Sequence, residues 1–122
     1  MIAASVPDIS APTVLSGTIS QSSVNVCNAI TEIRAQIKDD TRITSVTASL
    51  VNGAGQTAYA ETLFLKSGTT SDGSYANSMT VPCTLMARTY SVSIQATDQT
   101  GKKSALTSIG SIDVLSAPVV TP

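Results

Sequence analysis

The side chains of this chain that could do chemistry are a few carboxylates and two cysteines. In the stretch SIQATDQTGKKS, Asp98 follows an alternating run and precedes a glycine, while Asp39 and Asp40 end a second alternating run. A carboxylate in such a place could be a metal ligand or a general base, or it could shape a turn by accepting backbone N–H bonds. The chain contains no His, which excludes hydrolase triads and typical zinc sites.

Other catalytic signals are missing from the sequence. Neither the dinucleotide-binding pattern GxGxxG nor the phosphate-binding pattern GxxxxGK[ST] occurs. Asp39 and Asp98 could approach one another like the two acids of a glycosidase, but the rim of a β-sandwich lacks the deep cleft in which such acids work. We therefore predict that the chain is not an enzyme and has no catalytic residues.

The composition fits one globular domain with a neutral, hydroxyl-rich surface. With 122 residues and 42% hydrophobic content, the chain is long enough for one two-layer core. Ser and Thr exceed a quarter of the residues, and the net charge is -1 with no basic cluster beyond Lys102-Lys103. We therefore expect no nucleic-acid binding. No apolar run approaches the roughly 20 residues that span a bilayer, so no membrane insertion is expected.

Apolar and polar residues alternate with a period of two, and the runs are broken by Gly, Asn, Asp and Pro. This pattern predicts an all-β fold. The predicted strands are Thr13 to Ser20, Ala29 to Lys38, Ile43 to Val51, Thr57 to Lys66, Ser74 to Val81, Thr89 to Thr97 and Ala105 to Leu115. Seven strands with tight turns predict an immunoglobulin-like, seven-stranded Greek-key β-sandwich.

The alternation also predicts which side chains face the core. The predicted inner faces are Thr31, Ile33, Ala35 and Ile37; Val46, Ala48 and Leu50; Tyr75, Asn77, Met79 and Val81; and Tyr90, Val92, Ile94 and Ala96. In the last strand the phase of the alternation shifts, which predicts a bulge near Gly110.

Four stretches with recognisable motifs occur in order along the chain: DISAPTV, IKDDTRITSVTASL, SGTTSDGSYANSMTVP and RTYSVSIQATDQTGKKS. Through them the chain, from Asp8 to Val114, resembles the Big-type, fibronectin III-like immunoglobulin domains of bacterial surface proteins and phage virions. The resemblance implies the sandwich fold and a role in display, spacing or adhesion. Arg42 stands where such domains usually have glycine, and Lys102-Lys103 replaces their common Gly-Asn, which makes these turns less suited to a metal.

The predicted domain is flanked by two short segments. Residues 1–9 are an N-terminal arm, residues 10–115 form the domain, and residues 116–122 are a Pro-containing tail or linker. Ser10-Ala11-Pro12 recurs as Ser116-Ala117-Pro118, which is consistent either with a tandem repeat or with chance. We expect neighbouring subunits to hold these tails, as strands added to a sheet edge.

Cys27 and Cys83 are the two cysteines. In the predicted topology Cys27 precedes the second strand and Cys83 follows the fifth, and these strands are antiparallel neighbours. A disulfide is therefore geometrically reasonable and would indicate an oxidising environment. The alternative is a pair of free thiols in a reducing compartment.

The acids Asp8, Asp39, Asp40 and Asp98 should meet at one pole of the sandwich. Such an oxygen-rich group could bind Ca²⁺, but no stretch has the ligand spacing of a true Ca²⁺ loop, and aspartates commonly shape turns. We favour turn shaping and expect no cofactor, with a Ca²⁺ site as the alternative.

The aromatic side chains are Tyr59, Phe64, Tyr75 and Tyr90. Tyr90 stands where immunoglobulin-like domains have the tyrosine of their tyrosine corner, whose hydroxyl bonds nearby backbone. We predict that these aromatic residues are mostly needed for the core.

Two hypotheses for function remain. The first is a virion protein, either a capsid decoration or head-fibre component or a filament protein, that assembles with a shell or with neighbouring immunoglobulin-like subunits rather than staying a free monomer. The second is one repeat of an extracellular adhesin array. The start MIAASVPDIS is not a signal peptide, which favours the first, while the cysteine pair and the repeated Ser-Ala-Pro favour the second. The expected location is the virion surface, or otherwise an extracellular or cell-surface position.

Overall fold

A computed structural model describes residues 11–116, which form eight β-strands and no helix. The strands are β1 (Thr13–Ile19), β2 (Ser23–Asn25), β3 (Ala29–Lys38), β4 (Ile43–Val51), β5 (Thr57–Gly68), β6 (Asp72–Thr80), β7 (Thr89–Asp98) and β8 (Thr107–Leu115). The all-β prediction is confirmed, and β3 and β4 have the predicted bounds. The prediction of seven strands is wrong by one, because β2 is too short to show an alternating pattern.

The eight strands form one curled sheet in the order β1-β3-β6-β5-β4-β7-β8-β2. Neighbouring strands are antiparallel except for β2 and β8, which run parallel. The sheet curls at β5, whose residues up to Leu63 pair with β4 and whose residues from Phe64 pair with β6. Its two edge strands, β1 and β2, are consecutive in the chain, and β1 also contacts β8. The curl therefore brings the two edges of the sheet close together.

The inside of the curl holds a single hydrophobic core. The predicted inner faces of β4 and β7 are confirmed. The largest fully buried side chains are Tyr90, Ile30, Ile33, Ile37, Leu50, Met79, Ile94, Ile112, Val46, Val81, Val92 and Val114. Most of these are branched aliphatic residues, which suit a pleated surface and fill the core in a chain with only 3% aromatic residues.

The inner face of β3 differs from its prediction at the start of the strand. Ile30 is buried and Thr31 is exposed, so Thr31 was wrongly assigned to the core. The pairing with β6 is irregular between Ile30 and Ile33. Such an irregularity adds a residue to one strand and reverses the alternation on one side of it.

The predicted bulge near Gly110 is confirmed. Val92 pairs with Gly110 and Ser93 pairs with Ser108, which leaves Ile109 as the extra residue of β8. The bulge brings Ile109 against β1, where a Cβ atom on Gly17 would overlap the Ile109 side chain. Gly17 therefore allows the two edges of the curled sheet to pack closely.

Candidate functional site

Three of the predicted acids lie at one end of the curled sheet, where the connectors are bonded to one another. This acidic end consists of the connectors 39–42, 69–71 and 99–106 together with Asp98, the last residue of β7. The amide of Asp39 donates to the carbonyl of Ser71 at 2.9 Å, and the amide of Gln99 donates to the carbonyl of Arg42 at 2.9 Å. The structure thus brings Asp39, Asp40 and Asp98 to the same end, as predicted, while Asp8 lies outside the described residues.

Asp98 shapes the turn after β7. Its Oδ1 accepts hydrogen bonds from the amide of Thr100 at 2.9 Å, the hydroxyl of Thr100 at 2.6 Å and the amide of Lys102 at 3.0 Å. Gly101 has φ +89°, a conformation that glycine adopts without a steric cost. These bonds support turn shaping, the role that the sequence favours.

The other oxygen of Asp98 has a different environment. The side chain is 1% exposed, and its Oδ2 is buried with no hydrogen-bond partner. A buried carboxylate oxygen without a partner is costly, so it calls for a physical explanation.

Asp39 repeats this arrangement at the end of β3. Its side chain is 8% exposed, and its Oδ2 accepts a hydrogen bond from the hydroxyl of Thr41 at 3.0 Å. Its Oδ1 is buried and has no partner. The end therefore holds two carboxylates that each use one oxygen and leave the other unsatisfied.

Asp40 is exposed and lines an open groove beside the same end. The groove has a volume of about 280 Å³ and also contains Leu15, Lys38 and Asp39. Within residues 11–116 no group of three or more His, Cys, Asp or Glu side chains is placed to hold a metal ion. A cation at this end would therefore need other oxygen atoms besides these carboxylates.

The opposite end of the sheet carries the disulfide. Cys27 and Cys83 are bonded, with their Cα atoms 4.4 Å apart, so the structure contains the predicted bridge. The amide of Cys27 donates to the carbonyl of Val81, and the amide of Val81 donates to the carbonyl of Asn28, both at 2.9 Å. Cys27 has φ 72°, a left-handed conformation that is unfavourable for a side chain with Cβ. The sequence gives no signal of this strain.

The connector 81–88 at this disulfide end is also fixed by Tyr90. Tyr90 is buried, and its hydroxyl donates a hydrogen bond to the carbonyl of Met86 at 2.7 Å. This is the contact expected of a tyrosine corner. An open groove of about 370 Å³ lies beside it, lined by residues that include Leu85, Met86 and Arg88.

The prediction that the aromatic residues mostly serve the core is wrong for Phe64. Tyr75 and Tyr90 are buried, but Phe64 is 56% exposed. Phe64 follows the inward-facing Leu63 and pairs with Ala76, which in turn pairs with Arg34 of β3. Alternation therefore places Phe64 on the outer face of the sheet, beside residues that point away from the core.

Among residues 11–116, three ionisable groups have a pKa that is shifted by their surroundings. The hydrogen bond from Arg34, whose Nε lies 3.2 Å from Oε1 of Glu32, lowers the pKa of Glu32. The negative charge of Glu61 raises the pKa of Tyr59. Burial raises the pKa of Tyr75, although the charge of Arg42 opposes this shift.

No protein-family model matches the chain, and no curated protein is significantly similar to it. Residues 11–116 contain no helix long and apolar enough to cross a membrane. Function must therefore be inferred from the fold, from the acidic and disulfide ends, and from the edge strands β1 and β2.

Proposed function

We propose that the chain is a Big-type immunoglobulin-like domain, a Greek-key β-sandwich similar to fibronectin type III domains. The strand order supports this assignment, because β1-β3-β6-β5 and β4-β7-β8 follow the orders of the two sheets in such a sandwich. The bond from Tyr90 to the Met86 carbonyl supports it as well, since the tyrosine corner is typical of these domains.

The proposed role is non-catalytic. The domain is a structural component of a phage virion, as a capsid decoration or head-fibre protein, or of a filament. Its partners are proteins, either a shell or further copies of the same domain, and its location is the virion surface or another extracellular surface. The disulfide supports a location in an oxidising environment.

The outer edge of β1 is the observation that carries this proposal. Among the described residues β1 forms backbone pairs with β3 and with no second strand, so the backbone groups on its other side have no strand partner, although the strand packs on β8 near Gly17. The strand, TVLSGTI, has no charged residue and no proline. Natural proteins commonly protect an edge strand with one of these, because an open edge pairs readily with another chain. An edge without charge or proline can accept a strand from a partner.

Leu15 adds an apolar contact to this edge. The pairing of β1 with β3 is irregular between Val14 and Ser16, which leaves Leu15 at a bulge, and its side chain is 54% exposed. It also lines the groove beside Asp40. A strand added to β1 could thus bury Leu15 in addition to forming backbone hydrogen bonds.

Substitution of Leu15 tests the proposal. We expect Leu15→Lys to reduce assembly, measured by light scattering after size-exclusion chromatography, because a lysine on an edge strand opposes pairing. The matched control is Leu106→Lys, since Leu106 is 45% exposed but precedes β8 and lies outside β1. Equal assembly of both variants and the wild type would contradict a role for the β1 edge.

The alternative function is one repeat of an extracellular adhesin array. The positions of the start of β1 and the end of β8 favour this alternative. Thr13 pairs with Lys38 at the acidic end, whereas Leu115 accepts a hydrogen bond from Val26 at the disulfide end. The described chain thus enters and leaves at opposite ends, as a bead in an extended array would. Such a repeat would remain monomeric in isolation.

A further inference from the structure

We propose that Asn52 is a modification site, at which the side-chain amide reacts with the backbone amide of Gly53 and is converted to aspartate and isoaspartate. The site lies in the connector 52–56 between β4 and β5. Asn52 is the only asparagine of the chain that precedes a glycine. The site is separate from the β1 edge and does not depend on the proposed function.

The reaction needs only the chain and water. The backbone nitrogen of Gly53 bonds to Cγ of Asn52, and the side-chain nitrogen leaves as ammonia, which carries away the proton of the Gly53 amide. Water then opens the resulting succinimide ring. Opening at one carbonyl carbon gives aspartate, and opening at the other gives isoaspartate. The first step joins neighbouring groups of one chain, so no entropy is lost in bringing two molecules together.

The attacking amide is free of hydrogen bonds in the folded chain. The amides of Asn52 and Gly55 donate to the carbonyls of Gln56 and Asn52, at 2.9 and 3.0 Å. The amides of Ala54 and Gln56 donate to Oδ1 of Asn52, at 2.9 and 3.0 Å. The amide of Gly53, by contrast, donates to no described residue. The nucleophile is thus the one amide of this connector that no hydrogen bond holds.

The surroundings of Gly53 also leave its nitrogen open to reaction. Gly53 is exposed, and a Cβ atom placed on it would meet nothing within 4 Å. Since glycine has no side chain, nothing of its own shields the nitrogen either. The residues that follow it in the connector are exposed as well. Water for the second step therefore reaches the site from solvent.

The side-chain amide of Asn52 is held in a way that favours the attack. Negative charge develops on Oδ1 as the nitrogen of Gly53 adds to Cγ. The N–H groups of Ala54 and Gln56 already point at this oxygen, and donors placed in advance stabilise such a charge. The leaving nitrogen, Nδ2, has only a contact of 3.5 Å with Oε1 of Gln56, which is long for a hydrogen bond.

The product changes the charge of the groove beside Tyr90. Asn52 lines this open groove of about 370 Å³ together with Met86 and Arg88. Arg88 is the one charged side chain in its lining and forms no ion pair with a described residue. Conversion of the neutral amide to a carboxylate adds one negative charge to a chain whose net charge is -1. The modification therefore gives a groove that holds a lone arginine a negative charge of its own.

The test is incubation of the full chain at mildly alkaline pH, followed by mass spectrometry of its peptides. Each conversion raises the mass by about 1 Da, because a hydroxyl replaces an NH₂ group. We expect this increase in the peptide that contains Asn52, which an isoaspartyl methyltransferase should also label. The other asparagines, Asn25, Asn28 and Asn77, should convert more slowly. An Asn52 that stays intact, or that converts no faster than the other three, would overturn the proposal.

The same chain unfolded in urea separates the effect of the fold from that of the sequence. The hydrogen bonds to Oδ1 of Asn52 are absent in the unfolded chain. We therefore expect Asn52 to convert at least as fast in the folded protein as in urea at the same pH. Faster conversion in urea would show that the fold protects Asn52 and would overturn the proposal.

Two variants of the connector test the assignment of the nucleophile. Gly53→Ala should fold, because its Cβ meets nothing, and it should slow the conversion of Asn52 by about tenfold, since a methyl group shields the nitrogen and restricts the backbone. The matched control is Gln56→Ala, which removes the contact to Nδ2 but keeps the backbone donor. It should convert at least as fast as the wild type. Equal rates in Gly53→Ala and the wild type would overturn the proposal.

Discussion

The hydroxyl of Tyr90 donates a hydrogen bond to the carbonyl oxygen of Met86, 2.7 Å away, and this bond fixes the connector 81–88 to the start of β7. The same connector is held at its beginning by the disulfide from Cys83 to Cys27. One covalent bond and one part-buried hydrogen bond therefore hold the longest connector at the disulfide end. Its stability should depend on both.

Removal of the Tyr90 hydroxyl should destabilise the fold. Tyr90→Phe deletes the donor and leaves the Met86 carbonyl without this partner, which should lower the free energy of unfolding by about 1 kcal/mol. Urea denaturation measures the change. The control is Tyr59→Phe, because the hydroxyl of Tyr59 makes a longer hydrogen bond, 3.3 Å, to Glu61. A loss in Tyr59→Phe as large as that in Tyr90→Phe would contradict a special role for the corner.

Loss of the disulfide should lower the free energy of unfolding by more than loss of the Tyr90 hydroxyl does. The bridge joins residues 56 apart in sequence, and closure of a loop of this size stabilises a protein by roughly 4 kcal/mol in the chain-entropy model. We expect the double variant Cys27→Ser, Cys83→Ser to unfold at clearly lower urea concentration than the wild type. Intact mass should increase by about 2 Da on reduction of the wild type, since two hydrogens are added. An unchanged mass would show that the thiols are free.

The backbone at Cys27 gives a sharper version of this prediction. Without the bridge, a serine at position 27 must still adopt φ near 72°, which costs a residue with Cβ about 1 kcal/mol relative to glycine. The double variant Cys27→Gly, Cys83→Ser should therefore be more stable than Cys27→Ser, Cys83→Ser by about that amount. Equal stability would indicate that the left-handed conformation relaxes once the bridge is gone.

A methyl group at Gly17 should disrupt the packing of β1 on β8. The added Cβ overlaps Ile109, and overpacking of this kind typically costs about 1–3 kcal/mol. Gly53→Ala is the control, because a Cβ there meets nothing within 4 Å. The two variants are compared by thermal unfolding. A Gly17→Ala protein as stable as Gly53→Ala would show that the edges of the sheet do not pack this closely.

Alkaline pH should weaken the fold partly through Tyr75. Burial raises the pKa of Tyr75 above its ordinary value of 10.0, so the folded state holds the phenolic proton more tightly than the unfolded state does. This contribution to stability is complete below pH 10 and is lost as the pH rises through the folded-state pKa. Tyr75→Phe should reduce the loss and remove one late-titrating tyrosine from the phenolate absorbance curve. Superimposable curves from the two proteins would contradict the assignment to Tyr75.

The sequence predicts those parts of the fold in which alternation is regular. The bounds of β3 and β4 and the inward row from Tyr90 to Ala96 follow from a period of two, because one face of each strand is buried. The same rule fails where a strand is irregular or very short. The bulge after Ile30 reverses the assignment of Thr31, and β2 is held by its parallel pairing with β8 rather than by any pattern of its own.

The candidate site is predictable only in outline. Sequence and topology place Asp39 and Asp98 at one end, and turn chemistry predicts the bonds that Asp98 makes with its own connector. The burial of the second oxygen of each acid depends on how the connectors pack, which no spacing reveals. The exposure of Phe64 likewise depends on the way β5 passes from β4 to β6.

The mass of the full chain in solution tests the central claim most directly. Sedimentation velocity over a wide range of protein concentration measures this mass in the absence of any other protein. If the domain assembles through the open edge of β1, we expect species larger than the 12.5 kDa chain that increase with concentration and decline in Leu15→Lys. A monomer at every concentration would contradict an assembly of like subunits.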